Sequence, residues 1–433
     1  MQFLHLRVLS TYSGLVPEFH PFLYALAVRE CGRGRSSYDR LEEPPSYSAF
    51  LQNYLLPNKP VLIGPALVSS WSACSDWVRP DGLIDWTYLQ AEYGHLTVTV
   101  ADCSTREFSD QRREQVPFRD VVSLWEEGKG QNLYVKDWQL ARALASTPSQ
   151  LRTYSAFYTT PDIFRDDWMN AYYSAHTEDD FRFVYVGAAG TFTPLHRDVY
   201  TSYSWSTNVC GRKRWWLFPP EHTNFLLRKG GEEHLETAYD VRQVDPELYP
   251  NFSQAQPLII EQESGQTIFV PSGWYHQVEN LTDCISINHN WCNAVNLRSL
   301  YESMCAKVTE VEHALEDVQE MLSQGAENSP NPDGWQSDWI AIVQDVVEKD
   351  AGWNWATFWR MVRHALCLAM GRPCPVKADL WPPTPHDLMP RLDFITTRVE
   401  ACYADFIKRP QREIDLVTGL KEVLSDIHGL LHG

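Results

Sequence analysis

Two histidines and an aspartate stand in two short motifs that are typical of a metal site. His196 and Asp198 end the motif GTFTPLHRD, and His276 lies in GQTIFVPSGWYHQVEN. Two imidazoles and one carboxylate can occupy one face of an octahedron and leave three positions open for oxygen and a co-substrate, the arrangement of non-haem Fe(II) oxygenases. The motifs therefore predict His196, Asp198 and His276 as metal ligands of a catalytic centre.

The spacing of His196 and Asp198 would allow both side chains to bind the same metal ion. Residues two apart on an extended chain project to the same side, so His196 and Asp198 can face one metal, whereas His276 must come from another strand. An unpaired aspartate inside a closed β-fold would be costly, so a bound cation would also stabilise the fold. The alternative is that both histidines are ordinary hydrogen-bonded residues of a sheet.

A lysine and a row of polar residues accompany these motifs. Lys213 occurs in CGRKRWWLFPP, within an otherwise aromatic and apolar run. A lysine that faces the interior of such a strand needs an anion, which the distal carboxylate of 2-oxoglutarate would supply; a surface position in the RKR triplet is the alternative. In DCISINHNW, Ser286, Asn288 and Asn290 share one face, either a polar wall beside the metal or the solvent face of an edge strand.

The elements that must position these residues change in type along the chain. The sequence of residues 1–44 predicts an atypical, poorly ordered leader. In residues 45–180, helical and strand-like segments alternate. Residues 181–293 consist of short β-rich runs between Gly, Pro and Asp, which predicts a sandwich, barrel or jelly roll. A polar insert at 221–256 is expected across one rim. Residues 294–433 predict a helical region.

One apolar stripe stands out in the helical region. Apolar residues recur at steps of three and four from Leu300 to Leu322, which predicts a single long amphipathic helix that stops near Gly325. The stripe is interpreted as the core of a helical bundle. A homodimer through the C-terminal helices is the alternative.

Composition restricts the classes of function. The 433 residues are 44% hydrophobic and carry a net charge of −19, which argues against direct nucleic-acid binding and is compatible with a basic protein substrate. The ten cysteines are scattered, with no Cys-x2-Cys pair, so reduced thiols are expected rather than a zinc site or a disulfide framework.

Neither a membrane span nor a secretory signal is recognisable in the sequence, which favours a cytoplasmic protein.

These motifs resemble the JmjC-domain (cupin-type) 2-oxoglutarate- and Fe(II)-dependent oxygenases, in particular the small JmjC-only protein hydroxylases. The resemblance spans roughly residues 45–300 and is carried by FVYVGAAGTFTPLHRD, SWSTNVCGRKRWWLFPP, FVPSGWYHQVENL and ISINHNWCN. It implies a fold class of mixed β with α. The core would be a double-stranded β-helix (jelly roll), flanked by N-terminal α/β elements and followed by a C-terminal helical region.

The resemblance also implies roles for individual residues. His196, Asp198 and His276 would bind Fe(II), and Lys213 would anchor 2-oxoglutarate. Thr193, Tyr134 and Asn288 match co-substrate-contacting positions of the family. Where some relatives carry an asparagine this chain has Ser206, and Asn208, farther along the chain, is assigned to that role instead.

The implied activity is hydroxylation of a lysine side-chain carbon in a protein, with O2 as oxidant and ascorbate as reductant. The subgroup with the greatest similarity acts on the translation termination (peptide release) factor, which implies a basic protein substrate of that kind. A histone lysine or arginine demethylase is an alternative, although no reader module or zinc finger is recognisable. A catalytically inactive cupin scaffold is disfavoured by the complete ligand set. Lys213 argues against a zinc or manganese enzyme without 2-oxoglutarate.

Overall fold

The strands of this computed structural model form two sheets that pack face to face. The structure describes residues 38–107, 110–145, 157–230, 236–326, 334–377 and 381–433. The strands are β1 Asp39–Leu41, β2 Val61–Ile63, β3 Thr97–Glu107, β4 Asp110–Pro117, β5 Leu133–Trp138, β6 Arg182–Gly187, β7 Phe192–His196, β8 Tyr203–Cys210, β9 Lys213–Phe218, β10 Leu258–Gln262, β11 Thr267–Val270, β12 Tyr275–Asn280 and β13 Cys284–Trp291.

The strand order identifies the core as a double-stranded β-helix. The larger sheet has the order β1-β2-β11-β8-β13-β6-β5-β3-β4, and the smaller sheet has the order β10-β9-β12-β7. Strands β1 and β2 pair in parallel, and the other paired strands are antiparallel. From β6 to β13 the chain passes repeatedly between the two sheets, while the N-terminal strands extend both edges of the larger sheet. The predicted fold class is confirmed.

The alternation of side chains along β13 shows how the sequence separates core from cavity. Ile285 and Ile287 pack into the apolar core on the outer face of the larger sheet. Asn288 and Asn290 instead line the space between the sheets. The polar row is therefore an interior wall, as one of the two interpretations predicted, and β13 is a central strand rather than an edge.

Helices surround the sheets on both sides and form the C-terminal region. A π-helical turn, Leu51–Leu55, continues the first helix. The helices are α1 Tyr47–Phe50, α2 Ala73–Asp76, α3 Trp86–Tyr93, α4 Phe118–Glu126, α5 Leu140–Ala145, α6 Trp168–His176, α7 Thr223–Leu226, α8 Leu297–Ala314, α9 Glu316–Ala326, α10 Gly334–Ala351, α11 Trp355–Ala369, α12 Leu392–Phe406, α13 Gln411–Leu416 and α14 Leu420–His432.

The prediction of one long helix over Leu300 to Leu322 is wrong, because the structure has two consecutive helices there. Helix α8 ends at Ala314 and α9 begins at Glu316, because Leu315 leaves the helical conformation with φ −113° and ψ 17°. No glycine or proline marks this break; the acidic residues Glu316 and Asp317 start a new first turn. The apolar stripe packs inside the chain's own helical core, as the bundle interpretation predicted.

Three further features bear on the predicted organisation. Residues 38–44 of the predicted leader contain β1, and residues 1–37 lie outside the described ranges. The described parts of the insert 221–256 pack over the outer face of the smaller sheet, against Phe218 and Tyr275, rather than along a rim. Within the described ranges, no helix combines the length and apolarity that a membrane crossing requires.

Candidate metal centre

His196, Asp198 and His276 converge at one point between the sheets. His196 is the last residue of β7, Asp198 follows it, and His276 lies on β12 directly opposite His196 in the antiparallel register. The imidazole centroids are 4.2 Å apart, and the three potential ligand atoms lie within 4.8 Å of one another. Among the described residues, this is the one cluster of three or more such side chains that could hold a metal ion.

Backbone carbonyls orient both imidazoles. Nδ1 of His196 lies 2.8 Å from the carbonyl oxygen of Pro194, and Nδ1 of His276 lies 3.2 Å from that of Trp274. A carbonyl oxygen can only accept, so Nδ1 carries the proton in each ring and Nε2 is left with a free lone pair. This is the usual device that fixes the tautomer and the ring orientation of a metal-binding histidine.

The protonation state and the third ligand also suit a divalent cation. Burial, reinforced by the neighbouring His276, lowers the pKa of His196 to about 4, so its imidazole is neutral near neutral pH. Ser204 Oγ donates to Asp198 Oδ2 at 2.7 Å, which leaves the other carboxylate oxygen available. Two imidazoles that present Nε2 and one supported carboxylate fit Fe(II).

Lys213 lies in the same cavity and faces inward. On β9, Lys213 and Trp215 are buried between the sheets, whereas Arg214 is on the outer side, where it pairs with Glu261. Nζ of Lys213 donates to Ser286 Oγ at 2.7 Å, and no carboxylate of the described residues forms an ion pair with it. Burial lowers the pKa of Lys213 to about 8. An anionic ligand would therefore relieve the cost of this buried cation.

A single cavity contains both the histidine–aspartate cluster and Lys213. The cluster of His196, Asp198 and His276 and the cationic group of Lys213 belong to the same lining. The lining comprises Tyr134, Tyr185, Thr193, His196, Asp198, Ser204, Trp205, Ser206, Lys213, Trp215, His276, Val278, Asn288 and Asn290.

Comparison with known proteins agrees with this geometry. Residues 47–296 match the family described as Cupin-like domain. The chain is 35% identical over 327 residues to the 2-oxoglutarate and iron-dependent oxygenase JMJD4 of Gallus gallus, over 73% of this chain and 71% of that protein. The chain belongs to the cupin-like JmjC oxygenases of the JMJD4 type. These enzymes depend on 2-oxoglutarate and iron, and the expected family resemblance is confirmed.

Two other similar proteins carry names that indicate different activities. The JMJD4 oxygenase of Homo sapiens is 37% identical over 333 residues, which cover 73% of each chain. The Arginine-specific demethylase JMJ20 of Arabidopsis thaliana is 38% identical over 296 residues, which cover 64% of this chain and 61% of that protein.

Most of the predicted co-substrate residues of this JmjC oxygenase lie together. Thr193, Tyr134 and Asn288 all line the cavity, but Asn208 does not. Its amide nitrogen donates to the carbonyl oxygen of Gly211, at the turn that ends β8. Ser206 lines the cavity in its place, and its hydroxyl donates to Asn288 Oδ1 at 2.8 Å. Alternation puts both residues on one face of β8, but Asn208 lies farther along, beyond the cavity.

Sequence reasoning missed Tyr185 and its support. Tyr185 lines the cavity, and its hydroxyl donates to Asp137 Oδ1 at 2.6 Å; Asp137 also pairs with Arg113. Asp137 has a φ of 54° at an irregularity in the pairing of β5 with β6, which turns its carboxylate toward Tyr185. The one available signal was the shared face of Phe183 and Tyr185 in FRFVYVG.

Proposed function

We propose that this oxygenase hydroxylates a lysine side-chain carbon of a basic protein, the translation termination (release) factor. The observation that carries the proposal is the pairing, in one cavity, of a two-histidine, one-aspartate cluster with a buried lysine that forms no ion pair within the described residues. The first group suits Fe(II), and the second suits the distal carboxylate of 2-oxoglutarate.

The chain's own residues would bind and orient the reactants. His196 and His276 would bind the metal through Nε2, and Asp198 through the oxygen that Ser204 does not occupy. Lys213 and Ser286 would hold the distal carboxylate. With O2, and ascorbate as reductant, the bound iron and 2-oxoglutarate would supply the oxidising power that inserts oxygen into an unactivated C–H bond.

Positioning then selects the product, because the C–H bond that points into the cavity toward the metal-binding residues is the one that reacts. Tyr185, backed by the carboxylate of Asp137, is a polar wall suited to orienting a cationic side chain. The net charge of −19 favours encounter with a basic partner.

A second candidate is demethylation of a methylated arginine or lysine. It is favoured by the 38% identity to a protein named as an arginine-specific demethylase. The two activities need the same site, because hydroxylation of an N-methyl carbon gives an unstable product that loses the methyl group. They differ only in which carbon of the substrate is presented.

The deciding experiment incubates the protein with Fe(II), 2-oxoglutarate, ascorbate and purified release factor, and measures succinate together with the intact mass of the factor. We expect the wild-type enzyme to add one oxygen to one lysine-containing peptide of the factor. The His276→Ala variant should not do so, whereas the Arg197→Ala variant, altered between His196 and Asp198, should. Loss of a methyl group from methylated histone peptides, with no change in the factor, would instead establish the demethylase. Absence of metal-dependent succinate formation would refute both.

A further inference from the structure

The turn that follows Asp198 has an unusual backbone. Tyr200 and Thr201 both have positive φ angles, 48° and 56°. Side chains other than glycine rarely adopt this conformation, and a β-branched residue such as Thr201 does so with particular strain. These two consecutive strained residues, two and three positions after the predicted metal ligand Asp198, persist only if their surroundings hold them in place.

Tyr200 is held by the C-terminal helical region. Its hydroxyl donates to the carbonyl oxygen of Trp353 at 2.9 Å, and the two rings stack with centroids 4.9 Å apart and an angle of 20°. Trp353 lies between α10 and α11 and is almost fully buried. The stack therefore joins the turn after Asp198 to the helical core.

Thr201 is held by a second contact to the same region. Thr201 Oγ1 lies 2.8 Å from Oγ of Ser299, which is in the first turn of α8. Ser272 Oγ donates to the carbonyl oxygen of Thr201 at 2.5 Å and lies 3.1 Å from Ser299 Oγ. We call Thr201, Ser272 and Ser299 the hydroxyl cluster. Ser272 lies in the turn that leads into β12, which carries His276. The hydroxyl cluster therefore connects the turn after Asp198 and the turn before His276 to α8.

We propose that Ser299 and Trp353 position the metal ligands, so that the C-terminal helical region is a working part of the metal centre. Ser299 acts on both turns through the hydroxyl cluster, and Trp353 acts on the turn after Asp198 through Tyr200. Both residues lie beyond residues 47–296, where the match to the Cupin-like domain ends. Neither touches the metal; they are positioning residues. The inference rests on the proposed metal-binding role of Asp198 and His276.

The test uses Co(II) as a spectroscopic probe in the full-length chain. Thr201→Val keeps the β-branched shape and removes the hydroxyl, Thr201→Ser keeps the hydroxyl, and Ser299→Ala removes its partner. We expect Thr201→Val and Ser299→Ala to weaken Co(II) binding about tenfold and to shift its visible absorption bands, since loss of a group that supports a ligand costs about 10-fold to 100-fold in metal affinity. Thr201→Ser should behave like the wild type.

Two control variants separate positioning from general stability. Thr309→Ala removes a hydroxyl from the same helix, where it donates to the carbonyl oxygen of Cys305 and to no other of the described residues. Cys402→Ala weakens the buried helical core at a position on α12. Both should leave the Co(II) affinity and spectrum unchanged, although Cys402→Ala should lower the Tm.

The outcomes are distinguishable. Wild-type protein that fails to bind Co(II) would contradict the proposed function itself. Wild-type binding combined with unaltered affinity and spectrum in Thr201→Val and Ser299→Ala, or with equal losses in Cys402→Ala, would overturn the positioning role. If Ser299→Ala does not fold, Tyr200→Phe removes only the hydroxyl that reaches Trp353; the proposal then requires a shifted Co(II) spectrum in Thr201→Val and Tyr200→Phe.

Discussion

At the scale of single residues, Lys213 is a buried cation whose protonation should depend on a bound anionic ligand. Its ammonium group is buried against Ser286, and no carboxylate of the described residues offsets its charge. Arg212 and Arg214, its neighbours in sequence, face solvent and pair with Glu263 and Glu261. The basic triplet therefore contains two surface cations and one cation that is positioned for an anion inside the cavity.

We expect the affinity for 2-oxoglutarate to fall as the pH rises. Burial lowers the pKa of Lys213 to about 8 in the ligand-free protein, so the cationic form is lost above that value. A bound carboxylate favours the cation, so affinity should be near its maximum at about pH 7 and should decrease up to about tenfold per pH unit above about pH 8. Calorimetric titration of the metal-loaded protein across this range measures the effect.

Variants of the triplet identify the responsible group. Lys213→Met should weaken 2-oxoglutarate binding by about 10-fold to 100-fold, the equivalent of about 1.5–3 kcal/mol for a charged hydrogen bond, and should abolish this pH dependence. Arg214→Met is the matched control and should change neither. An unchanged affinity in Lys213→Met would remove the lysine from the co-substrate site.

At the scale of elements, the end of β6 shows how closely the strands pack around the cavity. A Cβ atom added to Gly187 would lie 2.5 Å from Cδ2 of Tyr134, 2.6 Å from Oγ1 of Thr191 and 2.7 Å from Nδ2 of Asn280. Tyr134 is fully buried and lines the cavity, so it has little room to yield. Glycine is required here by the close approach of neighbouring strands.

Gly187→Ala should therefore reduce both stability and co-substrate affinity. Overpacking of this kind costs about 1–3 kcal/mol, which should appear as a lower free energy of unfolding in urea. The displaced Tyr134 should also weaken 2-oxoglutarate binding. Gly325→Ala on α9 has open space around the added carbon and should be neutral or stabilising by up to about 1 kcal/mol. Equal stability of the two variants would contradict the packing argument.

The same scale shows what the sequence could and could not predict. Central strands such as β13 were predictable because one face is apolar and the other lines the cavity. Strand β4, DQRREQVP, was not, because it is an edge strand whose mostly exposed residues give no alternation. The convergence of His196, Asp198 and His276 was predictable from the chemistry of their motifs. The choice between Ser206 and Asn208 depends on how far along β8 the cavity extends, which spacing does not encode.

At the scale of the whole molecule, the catalytic core and the helical region share one apolar core. Trp168 and Met169 of α6 pack with the C-terminal helices, in the same cluster as Tyr200 and Cys292. Asp166 lies two residues before the start of α6 and is buried beside Tyr47 and Asn293. Its Oδ2 has no hydrogen-bond partner among the described residues. This carboxyl group lies where the N-terminal elements, the β-core and the helices meet.

We expect Asp166 to make the folded protein less stable as the pH rises. Burial raises its pKa to about 7, whereas an unfolded aspartate titrates near about 4. Between these values the folded state keeps a proton that the unfolded state releases. Stability is therefore highest below about pH 4 with respect to this group and is lost as the pH rises to about 7.

Urea unfolding at several pH values checks this expectation. Asp166→Asn removes this ionisation and should reduce the slope between about pH 5 and about pH 7, so that its advantage over the wild type is largest at the upper end. A residual slope should remain, because burial raises the pKa of the neighbouring Asp167 to about 8. Asp162→Asn, at an exposed carboxyl nearby, should retain the wild-type slope. A wild-type slope in Asp166→Asn would assign the pH dependence to other groups.

The pairing of Asn58 with Ser272 has a consequence for biosynthesis. The side chain of Asn58 both donates to and accepts from the backbone of Ser272, 214 positions later, and β2 pairs with β11 in the same region. A nascent chain leaves the ribosome N-terminus first. Strand β2 can pair with β1 early, but its other edge must wait for β11 until more than half of the protein has been synthesised. Such distant pairing slows folding and exposes apolar strands. Newly made chains should therefore depend on chaperones until β11, and then β12 with His276, have emerged.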